Sequence, residues 1–240
     1  MSWLRSLRNA AKLMTVAAML VSPALVRGQG AARLGGAEAG RDGLQVKTGR
    51  ILELETKGKA TTLKVETSDG ETYDLKVAPT LEFSVIGQGD AGFVKPGMYL
   101  IARGTMSEEK IFLSKATIQL VPKGKKPSPG RIVKAPAQAG ASVNTYDVAG
   151  EIVSAGPPEG YDDYTVVLLK IAGRNPPVWF EPKYEVQVSS SDPAHAAVGN
   201  GLELALKPLR GGKFQPVGVR IHRDTPFSSE EVLGGDGKPD

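Results

Sequence analysis

Residues 62–85, TLKVETSDGETYDLKVAPTLEFSV, and residues 165–188, TVVLLKIAGRNPPVWFEPKYEVQV, can be laid on one another without a gap over 24 positions. Gly70 then falls on Gly173, Leu75 on Val178, Val77 on Phe180, Pro79 on Pro182, Glu82 on Glu185 and Val85 on Val188. Identity is low, but apolar residues recur at every second position. That period belongs to strands, whose successive side chains point to opposite faces. Leu63 and Val65, then Tyr73, Leu75 and Val77, alternate around the turn Ser68-Asp69-Gly70-Glu71, which reads as a hairpin. In the second copy Val166 and Leu168 are expected to point inward with Val178 and Phe180. Pro176 and Pro177, which cannot donate to a ladder, belong at a strand start or on an edge.

The match extends outward from this block. Thr48-Gly49-Arg50-Ile51 lines up with Ala149-Gly150-Glu151-Ile152, and Val94-Lys95-Pro96-Gly97-Met98 with Val198-Gly199-Asn200-Gly201-Leu202. Ile111 and Ile118 fall on Phe214 and Ile221. A repeat found this way governs the whole fold prediction. Six strand-like runs are expected in the first copy, at 46–55, 60–67, 72–77, 81–86, 98–104 and 110–120, and again over 147–223 in the second. Between the fourth and fifth runs there is room for a helical turn, with Ser191 or Asp192 as cap before Pro193.

A unit this small has a thin core, and the chain has no cysteine to staple it. Closing the strands into a barrel removes the reactive sheet edges. The order Gly-x-Ile, alternating hairpin, Pro-led strand ending in Glu-x-x-Val, then Val-x-Pro-Gly-Met-x-Leu (Val94–Leu100) and a last strand resembles the OB-fold-like domains of unknown function found in bacterial exported proteins. The resemblance covers both copies and implies an all-β fold: two tandem small OB-like β-barrels, 46–121 and 146–224, joined by a flexible linker. It implies no ligand.

The ends and the middle are read from composition. Arg5, Arg8 and Lys12, the apolar run Leu13–Val21 and Ser22-Pro23-Ala24 have the order of a secretory signal, with cleavage expected after Ala24. The run is too short to span a bilayer, so the exported chain, periplasmic or extracellular, is expected to carry no transmembrane span. Residues 25–45 and the tail 225–240 are expected to be disordered. Of the formal charge of +4, residues 1–24 carry +3; residues 122–145 carry +5 and residues 146–224 carry −2. The cations Lys123, Lys125, Lys126, Arg131 and Lys134 stand among prolines and glycines. They can be read as a tether for polyanions or as a linker extended by self-repulsion, and the composition favours the linker.

The catalytic inventory is poor, and no enzyme, cofactor or metal site is expected. The chain has two histidines, His195 and His222. His195 with Asp192 could form half of a catalytic or metal site. Asp162-Asp163 lacks the spacing of a calcium loop. OB folds bind sugars and single strands through aromatics on an exposed sheet face. Trp179 is out of phase with Val178 and Phe180, so one of them should face outward, and Trp179 with Tyr184 would make a platform for a sugar ring. The expectation is a non-catalytic envelope binding or scaffolding protein, its partner an envelope polysaccharide or another envelope protein. The alternatives are an OB-type binder of polyanions, oligosaccharide or single-stranded nucleic acid, with nucleic acid the less expected of these, and a hydrolase that would depend on His195 or His222.

Overall fold

A computed structural model describes residues 43–58, 60–122, 124–136 and 144–234. The signal-like segment, most of residues 25–45 and Lys123 lie outside these. The strands are β1 Gln45–Lys57, β2 Ala60–Thr67, β3 Thr72–Val77, β4 Glu82–Gly89, β5 Tyr99–Ser107, β6 Lys110–Leu120, β7 Arg131–Lys134, β8 Thr145–Gly156, β9 Thr165–Lys170, β10 Pro177–Ser190, β11 Gly201–Pro208 and β12 Phe214–His222. Two 3-10 turns, Ala91–Phe93 and Pro193–His195, and one short helix, α1 Ser229–Leu233, complete the described elements. Three of the six expected runs of the first copy have the observed bounds. Pro177 opens β10, as its missing N–H requires.

The fold is all-β and contains a closed five-stranded barrel. Strand β8 pairs with β9, β9 with β10, β10 with β6, β6 with β5, and β5 with β8 again. Two of these five strands, β5 and β6, come from the first copy. The corresponding run of the other copy is β3-β2-β1-β11-β12-β4, which draws β11 and β12 from the second copy. Its end strands, β3 and β4, follow one another in the chain. Val85 pairs with Ile221 as Val188 pairs with Ile118, both in parallel register. Strands β1–β4 of the first copy thus share one run with β11 and β12, and β8–β10 of the second share the barrel with β5 and β6.

The reciprocal loop contacts repeat this exchange. Gly97 N–H donates to Ile152 O at 2.8 Å, and Gly199 N–H to Ile51 O at 2.9 Å. Gly97 and Gly199 have φ of +85° and +91°, a region glycine enters without a Cβ clash, so they are structural counterparts. Gly97 therefore corresponds to Gly199 and not, as expected from the sequence, to Gly201. Asp90 and Asp192 cap the two 3-10 turns, accepting from Gly92 N–H at 2.8 Å and Ala194 N–H at 2.9 Å. Antiparallel β4 and β10 join the halves: the pair Ile86 and Ser189 is flanked by Val85 with Ser190 and by Gly87 with Val188. Interchanging the copies maps this seam onto itself, so a pseudo-twofold axis passes through it.

The expected picture of two self-contained barrels in sequence order is therefore redrawn. Buried residues of both copies, among them Val65, Leu100, Phe180 and Leu204, form one core cluster. The same alternating pattern serves either partner, so nothing in it says which copy supplies the last two strands.

Register differs in a second place. The residues buried on β9 are Val167 and Leu169, not Val166 and Leu168, because Leu169 sits opposite Ile152 as Val65 sits opposite Ile51. The hairpin of the second copy is one residue shorter, and a slip of one residue exchanges the two faces of a strand. Val166 and Leu168 consequently lie on the outer face. In β10, where two runs were expected, one strand continues through Pro182, with a register shift between Phe180 and Glu185 and Lys183 at φ +62°. That bulge accommodates the proline.

The described parts of two segments expected to be unstructured are ordered. Within 122–145, β7 pairs with β8 over Tyr146–Ala149, Ile132 packs against the core and Ala135 is buried. The stretch of β8 beyond the end of β9 is an exposed edge, and β7 covers it. In the tail, Phe227 is only 1% exposed, and its N–H donates to Gln88 O at 2.7 Å. Ser229 N–H donates to Asp90 Oδ2 at 2.8 Å, so the strap 225–233 closes over the seam beside β4. One apolar ring in a polar stretch outweighed its composition.

Candidate ligand-binding face

Val178 and Phe180 are fully buried in the barrel, so the residue between them faces out. Trp179 lies opposite Phe112 on β6 and Val166 on β9. Around its ring stand Tyr161 at 6.0 Å between centroids, Tyr164 at 6.1 Å and Phe112 at 6.2 Å, mostly edge to face. Lys110 Nζ lies 4.6 Å from the Trp179 ring centroid, a cation–π distance. Tyr161 and Tyr164 come from the turn between β8 and β9, held by Tyr161 N–H to Pro158 O and Tyr164 N–H to Tyr161 O. Tyr161 is 54% exposed, and Asp162 and Asp163 beside it are exposed as well. Val166 and Leu168 continue this surface along β9.

Tyr184 does not belong to it. Its ring packs on Phe180 at 4.4 Å and against the core. The bulge between Phe180 and Glu185 separates it from Trp179, and its ring turns inward while Trp179 faces out. Tyr161 and Phe112 were not identifiable as neighbours of Trp179, because one reaches it from a turn and the other through a parallel pairing between copies.

The same place in the other half is built differently. Leu75 pairs with Leu63 as Val178 pairs with Val167, which makes Lys76 the counterpart of Trp179. Likewise Thr62 and Lys64 stand for Val166 and Leu168, and Glu53 and Glu55 for Ser154 and Gly156. Lys64 and Glu53 form an ion pair at 3.1 Å there. One face is a solvated lattice of charges, and its twin is apolar and aromatic.

His195 does not pair with Asp192: its Nδ1 lies 2.7 Å from Ser190 Oγ, while Asp192 caps its turn. His222 sits on the surface with Glu203 at 3.4 Å. Among the described residues no cluster of three or more His, Cys, Asp or Glu could hold a metal, and no helix is long and apolar enough to cross a membrane. Lys125, Lys126, Arg131 and Lys134 are exposed. Arg131 and Lys134, an odd number of positions apart on β7, point to opposite faces and make no common cationic surface.

One ion cluster is structural. Lys47, largely buried, reaches Asp69 at 2.7 Å and Glu71 at 2.5 Å, and Tyr73 Oη donates to Glu71. In the closed barrel Val148 stands in the place of Lys47. Hydrogen bonding from Lys47, then from Thr67, holds the Asp69 carboxyl down at about 2 from 3.8, and the two carboxylates hold the Lys47 ammonium above its usual range. A depressed carboxyl contributes stability above its unfolded value and loses it as pH falls through the folded one. The raised ammonium contributes throughout the acid range and loses its effect only at strongly alkaline pH. The melting temperature is therefore expected to fall between about pH 4 and about pH 2, and to fall less in Lys47→Met. Equal slopes in the two proteins, measured by thermal melts across that interval, would refute the assignment.

The fold and this face define a class: an all-β protein with a closed five-stranded barrel that carries a cluster of aromatic rings on its outer face. No family model, curated protein or solved structure matches the chain.

Proposed function

We propose that this chain is an exported, non-catalytic binding protein of the cell envelope, a duplicated OB-like unit whose copies exchange their last two strands, and that the face around Trp179 binds an oligosaccharide. Five strands with a short helical turn before the last two support the OB-like reading. The signal-like order of residues 1–24 supports export.

The observation that carries the ligand reading is the contrast between the twin faces. An outward sheet face is ordinarily polar, as around Lys76, and a contiguous apolar patch on it marks a binding surface. Here the patch is aromatic, with an amine and two carboxylates at its rim. A sugar ring offers C–H faces to the rings and hydroxyls to Lys110, Asp162 and Asp163. Trp179→Ala is expected to lower affinity for an envelope-derived oligosaccharide at least about tenfold in calorimetric titration, with little change in melting temperature. Lys76→Ala, on the twin face, is expected to leave binding intact. Unchanged binding in Trp179→Ala would remove the site. A linear fall of log K with log salt would replace the sugar by a polyanion held by the exposed cations.

A further inference from the structure

The Trp179 ring already has a cation on it. Lys110 Nζ stands 4.6 Å from the ring centroid, and among the described residues no carboxylate lies within ion-pair distance of that ammonium. Other lysines of the sheets pair with acids, as Lys64 does with Glu53 on the twin face, Lys115 with Glu185 at 3.3 Å and Lys170 with Glu151 at 3.8 Å. Over Trp179 the attraction is that of the negative π face. Two turns meet at this ring, and their residues 107–110 and 157–164 hold Glu108, Glu109, Glu159, Asp162 and Asp163 against Lys110 as the one cation. All five carboxylates are exposed. The aromatic patch therefore has an acidic rim, whose field gathers cations. Turn geometry does not demand this charge. The β11–β12 hairpin of the other copy turns on Gly211 and Gly212 at φ +80° and +73°, whereas β5–β6 turns on Glu108 and Glu109 at +49° and +62°. Glycine enters that region freely and a side chain only at a cost.

We infer that the oligosaccharide on this face is an amino sugar whose free, protonated amine displaces the Lys110 ammonium from over the Trp179 ring. The inference rests on the oligosaccharide reading of the same face and adds the charge of the ligand. A sugar laid against Trp179 presents its C–H face to the ring and carries the amine at its edge, among the aromatic rings and the acidic turns. Acetylation removes that charge, as it does for lysine, and a carboxylated sugar meets a rim of its own sign.

The test is calorimetric titration of the chain with two tetramers of one β-1,4-linked backbone, one of glucosamine and one of N-acetylglucosamine, at low salt and at a pH that keeps the amines protonated. The glucosamine tetramer is expected to bind at least about tenfold tighter, and Trp179→Ala to lose that binding. Trp3→Phe leaves Trp179 the only tryptophan, so a change of its emission on titration places the ligand on the ring. Lys110→Met is expected to tighten the glucosamine tetramer, because the seat over the ring is no longer contested. Glu108→Gly with Glu109→Gly, which suits that backbone, is expected to cut the preference for the free amine at least about threefold. Equal affinities for the two tetramers overturn the inference and leave the sugar reading in place. Binding of neither, while an envelope oligosaccharide still requires Trp179, does the same. Undiminished glucosamine binding in Trp179→Ala, weaker binding in Lys110→Met or an unchanged preference in the glycine variant also overturns it. If no oligosaccharide binds through Trp179, the sugar reading and the inference fall together.

Discussion

Phe227→Ala is expected to destabilise the protein by about 3–5 kcal/mol, although the residue lies in a stretch whose composition reads as a disordered tail. The ring is 1% exposed, packed over Gly87 with the Arg223 guanidinium 4.6 Å from its centroid and His195 at its edge. Its removal leaves a cavity on the seam between the halves, where β4 and β10 are the only described strands of the two copies that pair across the pseudo-twofold axis itself. The backbone clasp from Asp90 to Ser229 keeps the strap nearby, so the loss is that of the ring. Urea unfolding reads this directly. A loss under about 0.5 kcal/mol, the range of surface substitutions, would show that the strap is not part of the folded unit.

The second large effect concerns the strand exchange. The chain has no cysteine, so engineered pairs report without interference. Thr48 lies opposite Glu203 across the β1–β11 ladder, and residues opposed in an antiparallel pair are within disulfide reach. Thr48→Cys with Glu203→Cys is expected to oxidise almost completely within one chain, tying together residues remote in sequence and speeding migration on a non-reducing gel. Were each copy to fold on its own, the partner of Thr48 would be Ile101, the counterpart of Glu203; instead Ile101 pairs with Ala149 and Thr117. Thr48→Cys with Ile101→Cys is accordingly expected to stay reduced. The opposite outcome for the two pairs would restore two barrels in sequence order. The bidentate contact between Arg103 and Asp147, at 2.7 and 3.2 Å, joins the copies on the other ladder and follows from the same pairing.

The candidate site divides along similar lines. Trp179 could be placed on an outer face because its neighbours are apolar and strand parity is local. Its partners could not, since Phe112 arrives from the other copy and Tyr161 from a turn. Tyr184 lies beyond the bulge at Lys183, where alternation no longer tells which way a side chain points. The slip on β9 escaped because Val166, Val167, Leu168 and Leu169 form an unbroken apolar run, in which alternation carries no phase.

Local order was written in the chain itself: the bounds of β2, β3 and β6, the turn glycines and the Asp192 cap follow from steric and hydrogen-bonding preferences that act over a few residues. Which strands share a barrel, which ring fills the seam and which face turns aromatic were decided only in three dimensions. Two copies with one alternating pattern offer the same buried side chains to either partner, and only their simultaneous packing selects between them.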